Sequence, residues 1–482
     1  MSEHRDTVIV GAGITGLVAA WFLGRQGKDF LLLEAKDRPG GLIRTSQVDG
    51  FLLEHGPFTI LPKSPPFRRL LEYAADDLKL VTADRRAKAR RFVVQNGKLV
   101  GIHGRLGPLT TRLYGPAAKA RILRGLLWSR TGGASSEDSI YDAVSRRFGP
   151  RFATWAVDPL IRGIVSGDCR ELSLQAMFPS AAPLDQRIHS PAAAIVRTLL
   201  IGRRTATEAA EQQLDRLLPP RPTSVLAGMR RELISFREGL AALPRWLAIQ
   251  IEPHVRYRAA VAKVERTGDG FRVLVDDHSS TEHSTGNHLT CRRIIVTTPA
   301  HVTAGLIRSI SEPASIELES IPAASLAVVH LGFAREHLTR LPDGFGFLVP
   351  TVEQSTPVLG TLFASRTFPH HAPAGRELLR VFLGGTHRPD LLRRPDEELT
   401  ETALAGIREL LGVTGAPDLV RVDRFIKAIP QYNIGHRQRL ERITEALRPH
   451  AELVLAGSYR DGVSVSDRVA AGFAAADESY QA

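Results

Sequence analysis

Cysteine is nearly absent: the 482 residues hold two, Cys169 and Cys291. That excludes a disulfide framework and a cysteine-built metal cluster, and it suits a reducing compartment. No metal site is expected. Also missing is any run of about 18 uncharged apolar residues, so no bilayer-spanning helix is expected. Met1 to Asp6 lack the basic-then-apolar order of a secretion signal, and a cytoplasmic location follows as the expectation. Acid is scarcer than base, with 51 Asp and Glu against 63 Lys and Arg, for a net charge of +12. Such a surface attracts anions. Zinc-finger spacing and aromatic-rich RNA-binding strands are lacking, so nucleic acid is not the expected one. Anionic lipid and an acidic small molecule remain.

What is present is a globular mixture, 43% hydrophobic and 24% charged, too apolar for a disordered chain. The length asks for two or three domains. The chain opens with an apolar run, Thr7 to Val10, ended by Gly11. Helical spacing follows from Thr15 to Gln26, then Gly27, then a second apolar run, Phe30 to Leu33. This is strand, turn, helix, turn, strand: one mononucleotide-binding unit. Hairpins are predicted at Asn96-Gly97 and at Gly268 to Gly270, and strands at 326–333, 344–349, 358–363 and 378–383. From about Gly107 to Leu218 the pattern is helical, with Ser136 or Asp138 capping a helix that Gly149-Pro150 ends. A strand at 453–456 and a helix at 467–476 close the chain. The first and last segments are therefore expected to share one domain, with the rest inserted.

Gly11, Gly13 and Gly16, with Ile14 and Thr15 between them, have G-x-G-x-x-G spacing. The first glycine permits a tight turn, the second lets backbone approach a pyrophosphate, and the third lets helix pack on strand. The diphosphate then meets the free N–H groups and positive dipole end of a helix. Glu34 ends the second strand where a carboxylate bonds a ribose hydroxyl, with Ala35 beside it. Together these point to a dinucleotide.

The run Arg38-Pro39-Gly40-Gly41-Leu42-Ile43-Arg44-Thr45 resembles the extension found in the FAD-dependent amine oxidase and porphyrinogen oxidase superfamily. The resemblance implies FAD. Gly40, Gly41 and Leu42 would admit the ribityl chain and flavin, with Arg38 and Arg44 as donors, and Gly56, Pro57 and Phe58 would run near the ring. It also implies that Val261 pairs with adenine and that Thr298 borders the cofactor. Gly457, Ser458, Val463, Ser464 and Val465 would present backbone N–H groups to the flavin pyrimidine edge. Relatives usually carry glycine where this chain has Ser464, which leaves that loop's geometry open.

Further segments resemble the protoporphyrinogen oxidase family: Asp158 to Asp168, Gly344 to Pro350, Leu359 to Phe363, Phe368-Pro369 and, most specifically, Pro430 to His436. The resemblance covers nearly the whole chain. It implies an O₂-dependent oxidation of a porphyrinogen to the porphyrin, with six electrons in three flavin cycles, H₂O₂ released, and a place in haem biosynthesis. No acid or base is assigned. Phe345, Leu348 and Leu362 would be apolar walls, Arg91 the anchor of a propionate, and Gly163, Ile164 and Val165 a loop over the flavin. The other charges of the run Arg85 to Arg91 read as a solvated loop, and Thr367 stands where relatives often carry an apolar residue. The implied fold is α/β: a Rossmann-like FAD domain, an α+β substrate domain and a helical insertion. The expected division is 5–62, 225–299 and 440–478 for FAD, 63–105 and 300–439 for substrate, and 106–224 for the insertion. The basic, apolar stretch Lys119 to Trp128 fits either a core helix or peripheral contact with an anionic membrane. Other readings stay open: an amine oxidase, a desaturase or tailoring oxidase, or a flavin-binding module without turnover. The residues do not separate protoporphyrinogen from coproporphyrinogen, and they leave the oligomeric state open.

Overall fold

The computed structural model describes residues 3–104, 107–127, 138–179, 214–220, 232–277 and 288–477. Its first sheet has seven strands. The opening strand Glu3–Val10 lies parallel between Phe30–Leu33 and His288–Val296. The first half of His288–Val296 pairs antiparallel with Gly270–Asp277, and its second half pairs parallel with Leu453–Leu455. The two ends of the chain thus meet on one mid-chain strand. Strands buried on both faces read as continuous apolar runs, which is why Val8 to Val10 and Phe30 to Leu33 carry no alternation.

The opening helix, Ile14–Arg25, is buried at every position from Ile14 to Leu23. A helix apolar on all sides must be covered on all sides. The closing helix, Val465–Ala476, covers one flank, and Gly472 permits the contact: a Cβ there would lie 2.6 Å from the Thr15 carbonyl oxygen. Helices Pro65–Ala74 and Ala242–Gln250 complete this core through Phe67, Leu71, Leu243 and Leu247. On the other face of the sheet lie the helices Ala300–Ile307, Glu312–Glu319 and His436–Leu447. This redraws the expected division. Residues 65–74, 300–319 and 436–439 were placed with the substrate domain, but their apolar side chains or helices pack on the first sheet.

The second sheet also has seven strands, in the order Leu419–Pro430, Ala323–Ala334, Arg376–Gly384, Gly360–Phe363, Gly346–Leu348, Arg90–Gln95, Lys98–His103. Asn96 and Gly97 both have positive φ, +51 and +68, as a type I′ turn requires. The amphipathic helix Asp396–Leu411 backs the sheet and stops at Gly412 in the left-handed conformation.

A helical layer follows the hairpin. Ser139 caps the helix Ile140–Phe148 by accepting the Asp142 N–H. The cap is therefore neither Asp138 nor Ser136, and the latter lies outside the described residues. Residues 163–165 are not a loop: they form the last turn of the helix Asp158–Val165, which Ser166 ends with φ +53. The basic run is also not a loop, because Asp84 accepts two N–H groups and starts a short helix, Arg85–Ala89. Helix Pro116–Leu127 packs Ile122 and Gly125 inward, with Leu123 facing out; Trp128 lies outside the described residues. No described helix is long and apolar enough to cross a membrane.

Candidate flavin and substrate site

Strands ending at Val10, Leu33, Val296 and Leu455 run parallel, so the loops after them meet at one edge. In open α/β sheets this carboxyl edge is where ligands bind. The three glycines there differ in what constrains them. Gly11 has φ +100, and a Cβ would lie 3.1 Å from Thr297 Oγ1. At Gly16 a Cβ would overlap the Gly11 carbonyl oxygen at 2.0 Å. At Gly13 nothing among the described residues lies within 4 Å. The chain's own packing requires the first and third glycines. The second instead opens a space.

That space is matched to an anion. Gly13 is the N-cap of the opening helix, no side chain caps it, and its first turn holds no acid. Its first N–H groups are left for a ligand, with the positive end of the dipole behind them. Ile14 and Thr15 are buried in that first turn. A dinucleotide's diphosphate fits this cradle. Glu34 is buried; its Oε2 accepts the Ala12 N–H at 2.7 Å and its Oε1 the Lys36 N–H at 2.9 Å. It ties the glycine turn to the end of the second strand and keeps lone pairs for a hydroxyl. Ala35 beside it is exposed. The Ala259 N–H donates to the Glu34 carbonyl at 2.9 Å, so the strand Ala259–Thr267, carrying Val261 at a register shift, starts next to this carboxylate.

The segment after Glu34 folds back over the turn. Gly40 N–H donates to the Ala12 carbonyl at 2.8 Å, and a Cβ on Gly41 would lie 3.3 Å from the Gly13 Cα. Arg38 donates to the carbonyls of Pro39 and Gly41, at 3.3 and 3.2 Å, and so staples its own loop. Arg44 reaches Asp423 at 2.8 Å. Neither arginine is a free loop charge. Leu42 is exposed, while its carbonyl lies against Gly56, where a Cβ would clash at 2.1 Å. The next stretch is held from below by Arg380. This fully buried arginine donates to the Gly56 carbonyl at 2.7 Å and stands 5.2 Å from the centre of the buried Phe58 ring. Burial lowers its pKa to about 10, which leaves it charged at neutral pH. Pro57 between them is half-buried.

Asp423 gathers a second group behind this segment. Its Oδ2 lies 2.6 Å from His55 Nδ1 and 3.2 Å from His330 Nε2. Burial alone would raise its pKa; hydrogen bonds with His330 and His55 hold it well below the carboxylate range. His330 is fully buried and pushed down to about 4 by desolvation, so it is neutral. Arg44 already neutralises Asp423, which makes this cluster an anchor for the Arg44 loop.

On the far side, Thr297 Oγ1 stands 2.9 Å from both the Val10 and Gly11 carbonyls and props the glycine turn. Thr298 pairs with Thr303 through their hydroxyls, and its carbonyl lies near Gly457. Ser464 is the N-cap of the closing helix; its hydroxyl accepts the Asp467 N–H at 3.2 Å. Its φ of −78 is ordinary for any residue, so serine in place of glycine costs the loop nothing. Ser458, Val463 and Val465 are half-buried along this loop. The opening and closing helices therefore start at the same edge.

Residues 14–478 match the family model described as flavin containing amine oxidoreductase. The chain belongs to this family. Its cofactor is FAD, and it is an FAD-dependent oxidase. The protoporphyrinogen oxidase of Bos taurus is 32% identical over 98% of both chains. The coproporphyrinogen III oxidase of Bacillus subtilis (strain 168) is 26% identical, again over 98% of each. A provisionally named protoporphyrinogen oxidase from Exiguobacterium sp. 255-15 shares the fold, with a TM-score of 0.77 at 24% identity, over 98% of this chain and 97% of that one.

Beyond the FAD edge lies a partly apolar wall. Phe345 is half-buried, its ring centre 6.3 Å from that of Phe58. Leu362 sits opposite Gly346 in the sheet and packs into the same cluster as Phe58 and Phe368. Gly163 meets Leu348 so closely that a Cβ would lie 2.5 Å from Cδ2. Ile164 is 49% exposed beside it, whereas Val165 is fully buried in the helical core and faces no opening. Arg91 is solvent-accessible yet enclosed by protein, and desolvation holds its guanidinium below the usual arginine value. It lies 5.6 Å from the centre of the Phe345 ring. Thr367 does not reach this wall; it is fully buried, with its hydroxyl on the Phe363 carbonyl. Thr297, Arg380, Asp423 and Tyr432 were not singled out individually as site residues. Thr297 adjoins Thr298, and Tyr432 lies in the Pro430–His436 segment that carries the family resemblance; for the other two the signal is tertiary.

Proposed function

We propose that this oxidase converts a porphyrinogen to the porphyrin, passing six electrons in three rounds to three O₂ and releasing three H₂O₂. The FAD supplies the hydride acceptor and the route to O₂. The reading rests on Arg91 against Phe345, a partly desolvated cation at the rim of an apolar wall that adjoins the Phe58 segment. A tetrapyrrole is a large apolar disc with carboxylates at its edge. Phe345, Leu348 and Leu362 would pack on its face, with Gly163 leaving room at the helix end, and Arg91 would pair with a propionate. The Phe345 ring restricts Arg91 beforehand, which lowers the entropy lost on binding. The relatives named for protoporphyrinogen and coproporphyrinogen support this substrate class.

The decisive measurement is aerobic oxidation of both porphyrinogens, followed by porphyrin fluorescence. Turnover of either above the uncatalysed rate supports the reading, and the faster one identifies the substrate. A yellow protein that leaves both at the background rate overturns it and favours another oxidase substrate. Arg91→Ala is expected to raise KM about tenfold with kcat little changed, the loss of one charge-assisted contact of about 1.5 kcal/mol. An unchanged KM would remove Arg91 from the site.

A further inference from the structure

The loop from Gly457 to Val463 connects the last strand of the first sheet to the closing helix, and two side chains from another part of the chain, Tyr432 and His436, hold it. Tyr432 is 4% exposed. Its hydroxyl donates to the Ser458 carbonyl and accepts the Gly462 N–H at 3.0 Å. One hydroxyl proton and one lone pair account for both bonds, so the two ends of the loop are fixed relative to each other. Burial raises the phenol's pKa and keeps that proton in place. The ring is itself immobilised. It stacks on His436 with centres 4.3 Å apart and planes at 11°, and His436 Nε2 lies 2.8 Å from the Tyr459 carbonyl oxygen. The Tyr432 carbonyl accepts the Ser173 N–H at 2.8 Å, and Gln431 Nε2 donates to the Val165 carbonyl at 3.0 Å.

Gly462 is followed by Val463 and then by Ser464, the N-cap of the closing helix. Gly462 has φ +101, and a Cβ there would lie 2.8 Å from Asp467 of the first helical turn. The residue that Tyr432 holds therefore lies directly against the first turn of the helix. The N–H groups at that start stabilise negative charge placed before them, and their contribution depends on position.

We propose that Tyr432 is a positioning residue for the flavin: its hydroxyl sets the Ser458–Gly462 loop, and with it the start of the closing helix, at the distance that favours the reduced, negatively charged cofactor. The inference rests on FAD lying along this edge and is independent of the substrate. Tyr432→Phe keeps the ring stack and removes both bonds.

The test is photoreduction of the purified holoenzyme against reference dyes, with FAD rebinding to apoprotein measured in parallel. The Phe variant is expected to bind FAD and to favour reduced over oxidised flavin tenfold less, a fall in potential of about 30 mV for a two-electron couple. FAD should also rebind several-fold more weakly. A potential within twofold of the parent on that scale overturns the proposal, whether or not thermal stability falls. A merely structural tyrosine would lower the melting temperature and leave the potential alone. Porphyrinogen plays no part in either measurement, so failure here is separate from failure of the substrate reading.

Discussion

Gly13→Val is expected to yield a folded, colourless protein. The space beside the Gly13 Cα is open among the described residues, so a side chain has room in the protein alone. What it displaces is the diphosphate. We expect FAD affinity to fall at least a thousandfold, about 4 kcal/mol, with far-UV circular dichroism unchanged. Gly16→Val should behave differently: its Cβ overlaps the Gly11 carbonyl oxygen, so the turn itself is lost and little soluble protein should accumulate. A yellow Gly13→Val enzyme would place the diphosphate elsewhere.

The protein is expected to lose stability steeply between pH 6.5 and pH 4. Desolvation lowers three buried histidines from the usual 6.5: His330 and His436 to about 4, His371 to about 3. In the unfolded chain these imidazoles take up protons at 6.5, while in the folded chain they do not. The unfolded state thus binds more protons in this window, and stability falls as pH falls. Glu54 opposes this. Burial raises its carboxyl from 4.5 to about 7, so its contribution is largest in acid and is lost as pH rises through neutrality. Asp461, raised by burial, opposes it too, while His301 and His370, lowered by burial, add to it, and the three strongly shifted histidines leave a net loss on the order of 5 kcal/mol by pH 4. Urea midpoints at pH 7.5, 6 and 4.5 measure it. His371→Phe should flatten the slope. Among the described residues neither ring nitrogen of His371 has a hydrogen-bond partner, and the ring stacks on Phe368, so phenylalanine fits without a buried polar group. Midpoints that stay level would show that these rings take up protons in the native state.

Where the determinant is local, it was readable from the residues. Gly11, Gly13 and Gly16 announce the turn because strand, spacing and helix all fall within one short stretch, and Asn96-Gly97 announces its hairpin for the same reason. The strand Leu419–Pro430 was not readable. Its burial is mostly partial, and it carries Arg421, Asp423, Arg424 and Lys427, which local patterning assigns to solvent. Asp423 is explained by His55, His330 and Arg44, all remote in sequence. For residues 163–165 the resemblance implied a loop, but they end a helix, and Gly163 is glycine because Leu348 packs on it. Thr297 and Arg380 act on carbonyls of Val10, Gly11 and Gly56 that only the folded chain brings near. The family resemblance marked the Pro430–His436 segment without giving a reason; the structure shows it bonded both to the end of the helix Asp158–Val165 and to the loop Ser458–Gly462.

The opening strand and the strand Leu453–Leu455 both pair with His288–Val296, and the closing helix covers the opening one. On the ribosome, the strand Glu3–Val10 must therefore wait for Leu453–Leu455 to be made. A nascent chain stopped before residue 453 exposes the flank of a helix otherwise buried from Ile14 to Leu23 and an unpaired strand edge, the surfaces from which aggregation starts. Contacts of such sequence separation also slow folding. Colour should then appear only once the closing helix, Val465–Ala476, has been made, which makes yellow fluorescence a readout of that late assembly rather than of translation.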